Sequence, residues 1–225
     1  MNKSEYKRIE SYMLSYMNDS AHDCLHIYRV LYLAIEISKY EQKVDEDVLI
    51  AACLLHDIGR AYQFNSPELC HAEYGASMAY EYLISNGWHE KQAQHVKSCI
   101  STHRYRGNNI PQSIEAKILF DSDKLDATGA LGIARCLIYE GLISEPIYSI
   151  DETGRIIDGL QGSEPSFLRE YNYKLKVVYD NFYTLKAKEI ASQRQAIATS
   201  FYESILNEAT WTHAVGMEQL SKLLV

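Results

Sequence analysis

No two cysteines in this sequence are spaced as CxxC, and the five present (24, 53, 70, 99 and 136) are scattered and odd in number. That excludes a disulfide framework and a zinc ribbon, and it points to reduced thiols in a cytoplasmic protein. Prolines are few: of the four, two fall between 144 and 165, so most of the chain carries nothing that stops a helix. No apolar run approaches the ~18 residues of a membrane span. The opening MNKSEYKRIESYM has no apolar segment of the kind a signal peptide needs. Basic residues are neither in excess nor clustered, since 22 Lys and Arg against 30 Asp and Glu give a formal charge of −8. A surface that tracks a nucleic-acid backbone needs clustered Lys and Arg, so no nucleic-acid partner is expected. What the chain has in quantity is apolar residues, 47% of 225, enough for a sizeable core.

The apolar spacing predicts helices nearly throughout. A first covers about 2–17. Asn18-Asp19-Ser20 breaks it, and Ser20 with Asp23 starts a second over about 21–41. A third runs from Asp45 to Gly59, read as a C-cap glycine. A loop containing Pro67 leads to helices over about 70–85 and 89–103. RGNNIPQ (106–112) is a loop, and Ser113 caps a helix carrying Asp121, Ser122 and Asp123. One more reaches Gly141. The segment 144–165 reads as a long loop with a short hairpin around ETGR, and two helices follow over about 166–209, with a short or frayed tail from Trp211. The expectation is one all-α domain spanning 1–225: a core over about 18–142, the loop, and a C-terminal helical pair.

Against this background four polar residues stand on apolar stripes. His26 shares one with Val30, Leu33 and Ile37; His56 continues Leu49–Ala52; Asp57 continues Ile50–Cys53; Asp123 lies with Ala116, Leu119, Ala127 and Ala130. Three helices thus aim His, His-Asp and Asp inward. Unpaired, such groups are costly in a core, and a divalent cation removes the cost by taking each as a ligand. Two imidazoles with two carboxylates suit Mn, Fe, Co, Ni, Mg or Zn and lack the thiolates of a structural zinc site. His71 lies on a stripe with Gly75, Met78 and Tyr82, and His103 continues Ala93–Val96–Ile100. His89 and His95 read as surface residues.

The order HDCLHIYRV, LLHDIGR, DSDKLDATG resembles the HD-domain metal-dependent phosphohydrolases, in which a His, a later His-Asp and a distal Asp hold the metal. The opening DSAHDCLHIYRV, the block EAKILFDSDKLDATGALGIAR and the closing YNYKLKVV and TLKAKEIASQR are similar to small stand-alone bacterial members, some of which look like nucleoside-triphosphate pyrophosphohydrolases. The likeness covers about 18–207. It implies an HD-type helical bundle, favours Asp123 over Asp121 and Asp126 as the distal ligand, and makes His71 and His103, placed like the extra histidines of two-metal relatives, candidates for a second metal or a phosphate contact. It implies hydrolysis of a phosphorylated small molecule, (d)NTP to (d)NMP plus pyrophosphate, by metal-activated water. Asp57, Asp126, Arg60 and Lys124 are then the catalytic candidates; Arg60, Lys124, Arg104 and Arg106 are candidates to meet phosphate, with Lys174 and Arg194 added on resemblance alone. His22, one turn before His26, would support it. Some nucleotide-cleaving relatives place a Glu three residues after the Asp of the pair; here that residue is Arg60, which leaves Asp126, Glu73 or a substrate phosphate as the base. Alternatives are a phosphomonoesterase or signalling-nucleotide hydrolase, an HD-fold di-iron oxygenase using His71 and His103, and a non-catalytic nucleotide sensor.

Overall fold

The structure is a computed structural model that describes residues 1–17, 24–66, 68–104, 109–160 and 164–224, with backbone alone at 64 and 65. Ser20, His22, Asp23, Pro67 and Arg106 lie outside the described residues. Among those described, everything regular is helical except one two-stranded hairpin, and no helix is long and apolar enough to cross a membrane. Two compact units form: Met1–Asp126 with Phe182–Ala187, and Ala127–Asn181 with Lys188–Val225.

The first unit holds α1 (Lys3–Leu14), α2 (Cys24–Ser38), α3 (Glu46–Leu55), α4 (Arg60–Asn65), α5 (His71–Ser85), α6 (Glu90–Ser101) and α7 (Ile114–Asp126). Side-chain oxygens start several of them. Asn2 accepts from Glu5 N–H, Asp45 from Val48 N–H at 3.1 Å and Ser113 from Ala116 N–H at 3.1 Å, each satisfying an otherwise orphaned donor. Helix α3 is the centre of the unit. Val48, Leu49 and every residue from Ala51 to Leu55 are buried, and the helix packs on α1, α2, α6 and α7. Each large aliphatic side chain so enclosed contributes about 1.5–3 kcal/mol.

The third helix ends at Leu55 and not at Gly59 as expected. Residues 56–59 form a turn closed by Ile58 N–H to Leu55 C=O (3.4 Å) and Arg60 N–H to Asp57 C=O (3.0 Å), and α4 follows at once. Gly59 is no left-handed cap, because its φ is −81°. It is glycine because a Cβ there would lie 2.3 Å from His71 O and 2.8 Å from Gly75 N. The turn and the start of α5 are in backbone contact, and that contact brings His71 to Asp57. His95 is also not a free surface residue: its Nε2 lies 3.1 Å from Oε2 of the buried Glu115. His89 caps α6, its Nδ1 accepting from Lys91 N–H at 3.3 Å.

The second unit contains α8 (Gly129–Leu142), strands β1 (Ser149–Ile150) and β2 (Ile156–Ile157), α9 (Phe167–Glu170), a π turn (Tyr171–Leu175), a 3-10 turn (Val177–Asp180) and most of α10 (Leu185–Leu223). The strands pair antiparallel, Ser149 with Ile157 and Ile150 with Ile156, around the expected hairpin. Its core is Ile133, Phe167, Leu168, Tyr171 and Ala198. Two expectations fail here. The stretch 166–185 is not one helix: β-branched and aromatic residues at 177–179 weaken it, and Asn172 ties the bend by donating to Asp158 O, Leu168 O and Tyr202 Oη, each at 3.0 Å. Beyond it, no separate tail begins at Trp211, because α10 continues for 39 residues. Nothing in its sequence breaks it except Gly216, at a cost of about 1 kcal/mol.

Glu140 on α8 is buried, with Oε1 accepting from the Cys136 thiol at 3.4 Å and Oε2 without a partner among the described residues. Burial first, and then the carboxylates of Glu170 and Glu145, push its pKa up from 4.5 to about 7. The folded chain therefore keeps a proton that the unfolded chain has released. Stability from this group is complete below pH 4.5 and drains away as pH rises through 7. Glu140→Gln is expected to melt at a higher temperature than the parent at pH 8 and no higher at pH 4.5, which thermal unfolding at the two pH values checks.

Candidate metal centre

Five elements deliver the site. Helix α2 carries His26, the turn after α3 carries His56 and Asp57, α5 begins with His71, His103 follows α6, and α7 carries Asp123 and Asp126. All except Asp123 have the whole side chain buried to within a few per cent; Asp123 is 11% exposed.

The four imidazoles are oriented alike. Nδ1 of His26 lies 2.7 Å from Asp126 Oδ2, that of His56 2.8 Å from Cys53 O, that of His71 2.5 Å from Gln63 Oε1, and that of His103 2.6 Å from Ile100 O. Every one of these partners is an acceptor, so Nδ1 carries a hydrogen and Nε2 is the nitrogen left for a cation. All four Nε2 atoms converge on one carboxylate. Asp57 Oδ2 is 3.5 Å from His26 Nε2 and 3.6 Å from His56 Nε2. Asp57 Oδ1 is 3.5 Å from His71 Nε2 and 3.6 Å from His103 Nε2. Asp123 Oδ1 joins the first set, 3.4 Å from His26 Nε2, and the two Nε2 atoms of His26 and His56 face each other at 3.4 Å.

Lone pairs aimed at lone pairs and at carboxylate oxygens repel unless something positive lies between them. Asp57 Oδ1, His71 Nε2 and His103 Nε2 are buried with no hydrogen-bond partner among the described residues. The donors sort into two groups, His26–His56–Asp123 and Asp57–His71–His103, each with its ligand atoms within 4.8 Å of one another. That is the chemistry and spacing of sites for divalent cations.

The protonation states agree. Burial would raise the Asp57 carboxyl, but the Arg60 guanidinium, whose Nε donates to Oδ2, holds it well below the usual carboxylate range. Burial would also raise Asp123, yet Lys124 and His26 keep it low. Burial pushes His56 down to about 4 and His71 down to about 2, so both are neutral ligands at physiological pH. His26 differs: burial works against its imidazolium, but Asp123, Asp126 and Asp57 outweigh it and lift it to about 10, so without a cation its Nε2 keeps a proton facing those carboxylates, the place a bound cation would take.

The remaining candidates are placed as follows. Arg60 Nε donates to Asp57 Oδ2 at 2.5 Å while its side chain is 41% exposed. Lys124 Nζ donates to Asp123 Oδ2 at 2.8 Å and to His103 O at 3.5 Å. Arg104 Nη1 is 3.9 Å from Cys70 Sγ, beside His71. Glu73 accepts from Asn109 at 3.2 Å. Asp121 is turned away from the cluster: its carboxylate accepts from Tyr183 N–H (2.9 Å), Thr184 N–H (2.7 Å) and the Thr184 hydroxyl (2.7 Å). Asp126, a catalytic candidate on the sequence, has both oxygens engaged, with His26 Nδ1 on one and Arg29 donating to both at 2.7 and 3.1 Å. Lys174 pairs with Glu170 at 2.6 Å in the second unit, and Arg194 Nη1 is 3.4 Å from Thr128 Oγ1. The sequence reading missed Arg29 and Gln63. Arg29 had a signal, being a basic residue three positions after His26 on an otherwise apolar helix. Gln63 had none.

Comparison with known proteins gives the same frame. Residues 25–128 match the HD domain family. A Bacillus subtilis protein named "Uncharacterized protein YpgQ" is 29% identical over 205 residues, covering 88% of this chain and 91% of its own. The crystal structure of YpgQ in complex with ADP superposes with a TM-score of 0.70 at 26% identity, over 90% of this chain and 97% of that one. A Bacillus thuringiensis structure described as an HD-superfamily hydrolase gives 0.70 at 27% identity, over 92% and 97%. The stretch from 25 to 128, which carries every residue of the cluster, is similar to the HD domain family.

Proposed function

We propose that this protein is a metal-dependent phosphohydrolase acting on nucleotides, with (d)NTP to (d)NMP plus pyrophosphate as its reaction. The observation that carries the proposal is the convergence of four Nε2 atoms on the two oxygens of Asp57. His26, His56, Asp57 and Asp123 would hold one divalent cation and Asp57, His71 and His103 a second, with Asp57 shared. Such ions, when bound, lower the pKa of water and polarise a phosphoryl oxygen. The cations of the chain supply the rest. Arg60 keeps Asp57 ionised and presents an exposed guanidinium beside it, suited to a phosphate oxygen. Lys124 and Arg104 add positive charge on the sides of Asp123 and His71, suited to the negative charge that builds on phosphoryl and leaving-group oxygens. Asp126 and Arg29 hold His26 in orientation and do not touch substrate. Arg60 occupies the position where some relatives carry a Glu, so proton transfer falls to a substrate phosphate oxygen or to solvent. The ADP in the YpgQ structure and the hydrolase description of the B. thuringiensis protein support the substrate class and the reaction class.

The test is a product-resolved screen of nucleotides with Mn, Co, Ni and Mg. Pyrophosphate as product supports attack at the α-phosphorus. Orthophosphate transfers the reading to a monoesterase, and no turnover of any phosphate compound removes it. The same His-rich donor pair suits iron, so metal analysis with a visible spectrum on protein purified without added metal checks the di-iron oxygenase reading. Gly59→Ala tests the second cation: the new Cβ meets His71 O at 2.3 Å and pushes α5 off the turn. Bound metal is expected to fall from two ions to one per chain, with about 1–3 kcal/mol lost from stability, read by elemental analysis and denaturant unfolding.

A further inference from the structure

The two donor sets are braced alike except at one point. Each contains an imidazole held by a main-chain carbonyl three residues earlier: His56 on Cys53 O at 2.8 Å in the first, His103 on Ile100 O at 2.6 Å in the second. Each also contains an imidazole held by a side chain from another element, and here they part. In the first set His26 Nδ1 meets the carboxylate of Asp126 at 2.7 Å. In the second, His71 Nδ1 meets the neutral amide oxygen of Gln63 at 2.5 Å. A carboxylate draws the Nδ1 hydrogen toward itself and pushes electron density onto Nε2, which makes the imidazole a stronger ligand. An amide oxygen fixes the tautomer and the ring angle without adding a charge.

The ligands themselves widen the difference. The first set has Asp123 to itself and shares Asp57, whereas the second has only its share of Asp57. Helix α4 determines how that second set is held. Arg60 and Gln63 stand three residues apart on it, so they share a face, and the one grips Asp57 Oδ2 while the other grips His71. The helix reads RAYQFN and has no acidic residue to offer either ligand.

We propose that Gln63 is a positioning residue for the second cation, and that its amide, where the first set has a carboxylate, keeps that cation the weaker and more exchangeable of the two. The inference rests on the two-cation reading above and adds which ion comes and goes. One ion stays with the protein, and occupancy of the Asp57–His71–His103 set follows the free concentration of divalent metal.

The experiment is calorimetric titration of the metal-free protein with Mn2+. The parent is expected to bind in two steps, the second weaker by about tenfold or more; the step lost in Gly59→Ala identifies the second set. Gln63→Glu puts a carboxylate on His71 Nδ1 and is expected to tighten the second step by about tenfold with the first unchanged. Gln63→Leu removes the acceptor at similar volume and is expected to weaken the second step by about 10–100-fold, again with the first unchanged. A residue that only packs would lose affinity in both variants, whereas a brace gains in one and loses in the other. The converse exchange, Asp126→Asn, is expected to weaken the first step and spare the second. Any of four results overturns the proposal: parent steps of equal affinity, a second step unchanged or weakened in Gln63→Glu, both steps shifting together in that variant, or one bound ion in the parent with no second gained in Gln63→Glu. Should Gln63→Leu fail to fold, Gln63→Glu, which keeps an acceptor of the same size, decides. Failure of the phosphohydrolase reading looks different: both steps and their responses persist, and no phosphate compound is turned over.

Discussion

Asp57→Asn is expected to abolish turnover and to erase the thermal stabilisation that added metal confers, while leaving the metal-free protein at least as stable as its parent. The reason is the crowd of acceptors around one carboxylate. Asp57 Oδ1 faces the Nε2 atoms of His71 and His103 at 3.5 and 3.6 Å with no hydrogen between them. An amide in its place offers an N–H to one of those lone pairs, converting a repulsion into a hydrogen bond, so the empty site relaxes. The same change takes a negative ligand from both donor sets, and whichever way the amide turns, one set faces an N–H where it needs a lone pair. A ligand present at a hundred times its dissociation constant stabilises a protein by about 2.7 kcal/mol, and that gain is what the variant forfeits. Unfolding with and without Mn, alongside elemental analysis, measures it. A variant that still gains full stability from metal would show that Asp57 is not the shared ligand.

Asp126→Ala is expected to be the most damaging substitution for stability among the acidic residues of the cluster. Asp126 is fully buried, and it satisfies His26 Nδ1 and two donors of Arg29 at once. Its removal takes away the carboxylate that Arg29 and His26 Nδ1 share, at a cost of about 3–5 kcal/mol. His26 then loses the bond that fixes its tautomer and ring angle, and metal affinity is expected to drop by about 10–100-fold. Asp126→Asn keeps an acceptor for His26 and should recover part of the affinity. Equal losses in the two variants would mean that the carboxylate supports only the fold. Denaturant unfolding and metal titration separate the two effects.

How much of this was readable beforehand follows from what periodicity reports. Helices with an apolar face on one side, such as α2 and α6, repeat at a visible spacing, and their positions on the chain were legible. So were His26, His56, Asp57 and Asp123, because a polar residue on an apolar stripe is conspicuous. The turn at 56–59 was not, since Leu54–Ile58 is buried on every side and leaves no rhythm to interrupt. The role of Gly59 was misread for the same reason: a close approach between the turn and α5 depends on residues twelve and sixteen positions away, His71 and Gly75, and not on local dihedral preference. The irregular course of 171–184 was hidden by ordinary helical spacing, and only the network of Asn172 and the donors drawn to Asp121 account for it. Asp126 illustrates the limit for chemistry. Its place one turn after Asp123 suggested either support of a ligand or a part in catalysis, and its bonds to His26 and Arg29 favour the first.

Asp121 has a consequence for anyone who treats the stretch from 25 to 128 as a portable module. Its carboxylate is fully enclosed, and its donors come from Tyr183 and Thr184, more than sixty positions downstream. Excising the segment after Thr128 would strand that anion two residues from Asp123, on the very helix that presents it. A functional fragment has to keep 182–187 as well, so evolution could lengthen or exchange the intervening chain far more freely than it could discard what comes after it.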